Sequence, residues 1–176
     1  TSVALSFSSE PVAPHDATTR REITREEFAA RMADRADIPM SVWDGRVRLS
    51  IAGNQDKLAV YIEGERMSLV EGVLASTHIL KPEPARGRLP MLVANEHFCM
   101  HLAKRLGLSV ANTSLQRLPD PVLVVERYDR LRQPEGVRRL HAIDSCQGLD
   151  LPAAYKYERN FGSGRDPDRL LGHLAA

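Results

Sequence analysis

Apolar and polar side chains alternate along two stretches between positions 42 and 62, a period of two that is typical of β-strands with one buried face. The small and polar residues at 53–56 separate the stretches, so the pattern predicts a hairpin closed by a short polar loop. A third extended segment is predicted at 76–81, and Pro82 ends it. Three strands are therefore expected before the first long helix. The alternating apolar positions are Val47, Leu49, Ile51, Leu58, Val60 and Ile62.

Two segments have the signals of helices. Thr24 precedes two acidic residues and then the apolar Phe28, which predicts a capped helix that ends near Pro39. A longer helix is predicted over roughly 90–106, because a proline suits its first turn and Gly107 supplies a C-terminal stop.

The remaining pattern completes an α+β fold in which an antiparallel sheet packs against one long helix. The apolar run at 122–125 predicts a buried central strand, and a short helix is expected around 143–149. Residues 1–20 mix small and polar side chains without periodicity, which is typical of a flexible lead-in. We expect one domain over 21–165, and 166–176 to begin a truncated helical lobe.

Composition excludes several classes of protein. The chain has 24 basic and 23 acidic residues, a formal net charge of +1, so no overall field draws it to nucleic acid or to an anionic membrane. Cys99 and Cys146 have no metal-site spacing and are expected to be reduced core thiols. No apolar run is long enough to span a bilayer, which favours a cytoplasmic protein. Direct nucleic-acid binding is disfavoured because the candidate arginines are scattered; these are Arg46, Arg48, Arg86 and Arg88.

Glu96 interrupts the apolar stripe of the long helix. An ionised carboxylate among apolar neighbours is costly unless a cation meets it, and Lys81 at the end of the third strand is the natural candidate. A strand lysine held by a helix glutamate is the pair with which kinases position the phosphates of ATP. The alternative is that Glu96 lies at the helix margin and Lys81 is a solvated strand end. The stripe comprises Leu92, Cys99, Ala103 and Leu106.

Two loops are further candidates for binding a ligand. The loop from Ser50 to Lys57 has small residues and one glycine that let backbone amides approach an anion, although it also fits a plain hairpin turn. The residues after Val125 are polar, and their backbone carbonyl and amide groups could bind the edge of an adenine, with Tyr128 forming a wall of the pocket. The alternative is an ordinary boundary between a strand and a loop.

Five blocks, in this order, resemble the HipA family. The resemblance implies a divergent protein kinase that phosphorylates a protein target to arrest growth, is linked to persistence, and forms the toxin half of a toxin–antitoxin pair. It implies Mg-ATP as cosubstrate and a HipB-like DNA-binding antitoxin as partner, so that DNA is contacted only indirectly. The blocks are Ser50–Lys57, Ser76–Pro82, Asn95–Cys99, Val125–Arg130, and Cys146–Gln147 with Lys156–Glu158.

The resemblance also implies roles for individual residues. Lys81 would contact the ATP phosphates with Glu96 as its ion-pair partner, and Ser50 matches the serine that the family autophosphorylates to silence the kinase. The residues expected over the phosphates are Ala52, Gly53, Asn54, Gln55, Asp56 and Lys57. The residues expected to form the adenine hinge are Glu126, Arg127 and Tyr128.

The catalytic segment of the family has no match in this chain. The sequence has no Asp-Gly-His, and Asp44–Gly45 comes too early and continues into Arg46. No catalytic residue or metal ligand is therefore assigned, and Mg²⁺ ligands are expected from a missing lobe. We expect an ATP-binding small lobe, inactive alone, from the middle of a longer HipA protein. The alternative is a non-catalytic module that binds a HipB-like antitoxin or an intact kinase.

Overall fold

The computed structural model describes residues 18–48, 55–72, 74–85, 90–134 and 136–152. The described residues up to Leu140 belong to one compact unit, and those from His141 onward belong to another. The helices are α1 (Arg25–Ala33), α2 (Leu92–Arg105) and α3 (Ser145–Gly148). The strands are β1 (Arg20–Ile23), β2 (Val42–Trp43), β3 (Arg46–Val47), β4 (Leu58–Glu63), β5 (Arg66–Val70), β6 (His78–Pro82), β7 (Thr113–Arg117), β8 (Pro121–Glu126), β9 (Arg130–Gln133) and β10 (Gly136–Arg139).

Six of these strands form one antiparallel sheet in the order β1-β5-β4-β6-β8-β7. The remaining strands pair in two short ribbons, β2 with β3 and β9 with β10. The predicted antiparallel sheet, the strand that ends at Pro82 and the buried strand over 122–125 are confirmed. α1 and α3 belong to different units, and α3 lies within the short helix expected at 143–149.

The predicted hairpin is wrong at the part of its first strand that the structure describes. Arg46–Val47 pairs with Val42–Trp43 and not with β4, while residues 49–54 lie outside the described residues. The hairpin partner of β4 is β5, through a turn in which Gly64 has a φ of 59°. A left-handed φ of this kind suits glycine because glycine has no Cβ. The described residues before α2 thus contain six strands, β1 to β6, rather than the three expected.

The core lies on one face of the sheet, beneath α1. Leu58 of β4 faces Leu80 of β6, and Leu80 faces Val124 of β8, so side chains of alternate positions form one continuous apolar layer. Phe28 of α1 packs over this layer and stacks on Trp43, with ring centroids 6.4 Å apart. The core residues of α1, the loop after it and β2 are Phe28, Met32, Met40 and Trp43.

α1 begins as predicted and ends earlier than predicted. Thr24 Oγ1 accepts a hydrogen bond from the Glu27 amide at 3.1 Å, which caps the first turn. The helix ends at Ala33 rather than near Pro39, and the chain between them forms turns. The Arg31 guanidinium holds the loop that follows by donating to the carbonyls of Ile38, Pro39 and Val42.

α2 packs on β7 and β8, so the sheet contacts two helices rather than the one expected. Gly107, with a φ of 82°, follows α2 as its predicted stop. The predicted apolar stripe is wrong, because Cys99 and Leu106 are exposed and Val93 is the buried residue of this helix. Cys99 is therefore not a core thiol, whereas Cys146 is buried. None of the helices in the described ranges is long and apolar enough to cross a membrane.

Candidate functional site

Lys81 and Glu96 form the ion pair that their sequence context predicted. Lys81 Nζ lies 2.5 Å from Glu96 Oε1, which joins β6 to the second turn of α2. Lys81 is one residue beyond the core residue Leu80, so the pleat of the strand directs its side chain to the opposite face, where α2 lies. The side chains retain 24% and 28% of their exposure, so the pair is half-buried and open to solvent on one side.

The surroundings of Glu96 differ from those on which the prediction of the ion pair was based. Glu96 is not enclosed by an apolar stripe, since Cys99 and Leu106 of the same helix are exposed. A half-buried carboxylate has a modest desolvation cost, and the pair forms because strand and helix present opposite charges to each other. The partially open ammonium group can still meet an anion from solvent.

Glu83 is a site residue that sequence reasoning missed. Its two carboxylate oxygens accept hydrogen bonds from the amides of Leu92 at 2.9 Å and Val93 at 3.0 Å, at the start of α2. A carboxylate is favoured there by the unpaired amides and by the positive end of the helix dipole. Two features of the sequence pointed to this role. Glu83 is two residues after Lys81, so in an extended chain both side chains lie on one face, and no residue able to cap the helix stands just before Leu92.

The predicted adenine hinge begins at Glu126, the last residue of β8, beside the strand that holds Lys81. The Glu126 and Arg127 amides donate to the carbonyls of Asn112 and Thr77, each at 2.9 Å. The Glu126 carboxylate accepts from Asn112 Nδ2 at 2.9 Å. These groups therefore fix the backbone, whereas the Tyr128 side chain is 77% exposed and accessible to a ligand.

Arg127 belongs to a buried charge cluster and does not face solvent. Its guanidinium makes two hydrogen bonds to the Asp129 carboxylate, at 2.9 and 2.7 Å, and Arg130 contacts the same carboxylate at 2.8 Å. Burial by itself would raise the pKa of the Asp129 carboxyl, but the hydrogen bonds and charges of Arg127, with the charge of Arg130, hold that pKa below its usual value. Arg130 also donates to the Ser76 carbonyl, so the cluster ties this turn to the segment before β6.

The predicted phosphate loop is described only at its C-terminal end. Asp56 accepts hydrogen bonds from the amides of Met40 at 2.6 Å and Lys57 at 3.0 Å, so it joins the start of β4 to the loop after α1. Gln55 and Asp56 line a cavity of about 210 Å³, which is below the roughly 300 Å³ of ordinary ligand pockets. The predicted residues Ser50, Ala52, Gly53 and Asn54, and the block Lys156–Glu158, lie outside the described residues.

No group of three or more potential metal ligands occurs in the part of the chain that the structure describes. The described residues therefore offer no ready set of oxygen ligands for Mg²⁺.

The chain is similar to known proteins in both sequence and structure. The Shewanella oneidensis serine/threonine-protein kinase toxin HipA is 45% identical over 152 residues, covering 85% of this chain and 34% of that protein. A putative kinase, Y4mE, of Sinorhizobium fredii is 44% identical over 142 residues, covering 78% of this chain and 33% of that protein. This chain thus spans about one third of the length of these relatives.

A solved structure agrees with the sequence comparison. Shewanella oneidensis HipA, in a complex with HipB and operator DNA, aligns with a TM-score of 0.68 at 43% identity, covering 89% of this chain and 37% of that one. The model of the HipA-like C-terminal domain matches residues 49–175. The resemblance seen in the five sequence blocks is thereby confirmed: the chain belongs to the HipA family.

Proposed function

We propose that this chain supplies the ATP-binding part of a HipA-type serine/threonine-protein kinase, with the fold of a kinase small lobe. The Lys81–Glu96 ion pair is the observation on which the proposal rests most. In protein kinases a strand lysine and a helix glutamate form such a pair, and the pair must be in place for the lysine to meet the nucleotide phosphates. Here the helix follows the lysine strand directly in the chain, separated from it by one loop.

The positions of the hinge and the lysine suit the length of a nucleotide. β6 and β8 are neighbours, with His78 opposite Glu126, so Lys81 lies three residues further along β6. At the rise of a strand this separates the hinge from the lysine by roughly 10 Å. An adenine at residues 126–128, contacting Tyr128, would extend its phosphates toward Lys81.

The remaining assignments follow from the family. Residues 52–57 cover the phosphates, and phosphorylation of Ser50 adds charge of about −2 beside a triphosphate site, which opposes nucleotide binding. The catalytic aspartates and Mg²⁺ ligands come from other parts of the full-length protein. The Shewanella relative is a serine/threonine-protein kinase toxin, which supports phosphorylation of a protein serine or threonine by the full-length protein.

The first experiment compares ATP binding by the chain with that of two variants. Lys81→Ala should weaken ATP binding about tenfold or more, because it removes a charge-assisted contact to phosphate. Arg105→Ala removes an exposed cation from the end of the same helix and should leave the affinity unchanged. Titration calorimetry measures both, and phosphorylation by the full-length protein should be lost only with Lys81→Ala.

The outcomes separate the proposal from its main alternative. Equal ATP affinity in wild type and Lys81→Ala would contradict the assignment of the phosphate contact. A chain that does not bind ATP but still binds a HipB-like antitoxin or an intact kinase would favour a non-catalytic interaction module.

We also propose that the full-length protein assembles with a HipB-like DNA-binding antitoxin. The solved relative is in a complex with HipB and operator DNA. The near-zero net charge of this chain gives it no general attraction to DNA, so DNA contact would occur through the antitoxin.

A further inference from the structure

The start of α2 lacks a capping side chain of its own. Met91 occupies the N-cap position with a left-handed φ of 61° and makes no side-chain hydrogen bond to the helix. Ser, Thr, Asp or Asn normally occupies this position and binds an amide of the first turn. In α2 the acceptor comes instead from Glu83, which lies just beyond the end of β6.

The backbone of Glu83 is itself fixed by two neighbours. Its amide donates to the Pro121 carbonyl at 2.9 Å, and its carbonyl accepts from Arg35 Nε at 3.2 Å. Arg35 is held in turn by the Asp120 carboxylate at 2.7 Å. The carboxylate that caps α2 therefore extends from a backbone anchored to both β8 and the end of α1.

Lys81 in β6 and Glu83 just beyond its end contact the same helix from the same side. Their spacing of two places them on one face, roughly 6.5 Å apart along the strand. Their contacts on α2, at Val93 and Glu96, are three residues and roughly 4.5 Å apart along the helix axis. The Glu83 contacts hold the first turn of α2 and the Lys81 pair holds the second, so together they fix the start of the helix over the end of the strand. The later turns have hydrogen bonds of their own, between His97 and Thr113 at 3.1 Å and between Lys104 and Asn112 at 2.7 Å.

We propose that Glu83 is a positioning residue, which holds α2 where Glu96 reaches Lys81. Loss of the Glu83 carboxylate would release the first turn of α2 and loosen the Lys81–Glu96 pair without removing either charge. The consequence for ATP rests on the proposed function, whereas the consequence for the ion pair does not.

A double-mutant cycle tests the positioning role without nucleotide. Lys81→Met, Glu96→Gln and the double variant are made in the wild-type chain and in Glu83→Ala, and urea unfolding measures the coupling between positions 81 and 96. We expect a coupling of about fivefold in the unfolding equilibrium constant of the wild type. In Glu83→Ala it should fall below about twofold, because the partners no longer meet in one geometry.

Thr24→Ala is the matched control, since it removes the cap of α1 instead of that of α2. It should lower stability to an extent similar to Glu83→Ala and leave the coupling unchanged. Glu83→Gln keeps one carbonyl acceptor and should give an intermediate coupling, and it replaces Glu83→Ala if that variant does not fold. Coupling that is the same in wild type, the Glu83 variants and Thr24→Ala would overturn the proposal.

ATP affinity separates this inference from the proposed function. If both hold, Glu83→Ala weakens ATP binding by about threefold to tenfold and Glu83→Gln by less, whereas Thr24→Ala has no effect. If the wild type does not bind ATP but Glu83→Ala still reduces the coupling between positions 81 and 96, the positioning role is supported and the nucleotide site is contradicted. Unchanged coupling with weakened ATP binding would contradict positioning through the ion pair.

Discussion

Asp129 is the one carboxylate between two buried guanidinium groups in the described turn after β8. The Asp129 side chain is 18% exposed, while Arg127 and Arg130 retain 7% and 10%. Both arginines would be left buried without their counter-charge if the carboxylate were removed. We therefore expect the Asp129 charge to hold the conformation of the turn that carries Tyr128.

Asp129→Asn should therefore lower the free energy of unfolding by about 3 kcal/mol at neutral pH. The pKa of Asp129 is lowered in the folded state, so its stabilisation is complete above the unfolded pKa of roughly 3.9 and is lost as pH falls through the folded pKa. The difference between wild type and variant should be constant from about pH 5 to 8 and shrink below about pH 4. Urea unfolding of wild type and Asp129→Asn across this pH range measures the difference in stability.

Glu65→Gln is the control for that series, because Glu65 is exposed in the β4–β5 turn. It should change stability by less than about 0.5 kcal/mol at every pH. An Asp129→Asn variant whose loss of stability stays constant down to pH 2 would contradict the lowered pKa.

At the scale of elements, the two longer helices differ in what they contribute. Phe28 of α1 is fully buried against Trp43, whereas Phe98 of α2 is 65% exposed. The side chains of α1 complete the core. The contacts that hold α2 are the buried Val93, the Lys81 ion pair, the Glu83 cap, and hydrogen bonds from His97 to Thr113 and from Lys104 to Asn112. The helix that bears the candidate site is thus attached mainly by polar contacts.

Replacing a phenylalanine by alanine in α1 and in α2 should show this difference in packing. Phe28→Ala should lower the free energy of unfolding by about 3–5 kcal/mol, because it leaves a cavity in the core. Phe98→Ala should cost less than about 1 kcal/mol. Urea unfolding measures both, and the fluorescence of Trp43, the only tryptophan, should shift in Phe28→Ala alone. Equal losses would mean that α2 packs more tightly than its exposure indicates.

At the scale of the whole molecule, the chain spans about one third of its curated relatives, so partner binding is a property to test on the full-length protein. Co-expressed with a HipB-like antitoxin, that protein should co-purify as a complex that retains operator DNA at about 0.15 M salt. The protein without antitoxin should not retain it. Equal retention by the protein alone, measured by gel shift, would contradict indirect DNA contact.

Short-range features of the fold were predictable from sequence. The Thr24 cap and the Gly107 stop depend on groups a few residues apart, and the alternation in β4 reflects one buried face. The contact between Lys81 and Glu96 was predicted from their opposite charges at a strand end and in the next helix, although the apolar surroundings expected for Glu96 were wrong.

Only the tertiary structure decided which strands pair and how α2 is held. Backbone hydrogen bonds form between any two strands, so the sequence pattern did not show that β1 pairs with β5 or that Arg46–Val47 pairs with Val42–Trp43. The Glu83 cap and the half-exposed ion pair likewise depend on where α2 lies over the sheet. By itself the sequence determined the family, the periodic elements and the pair of opposite charges, since these are properties of residue type and spacing. Strand partners and helix placement are set by the packing of distant segments, which spacing along the chain does not encode.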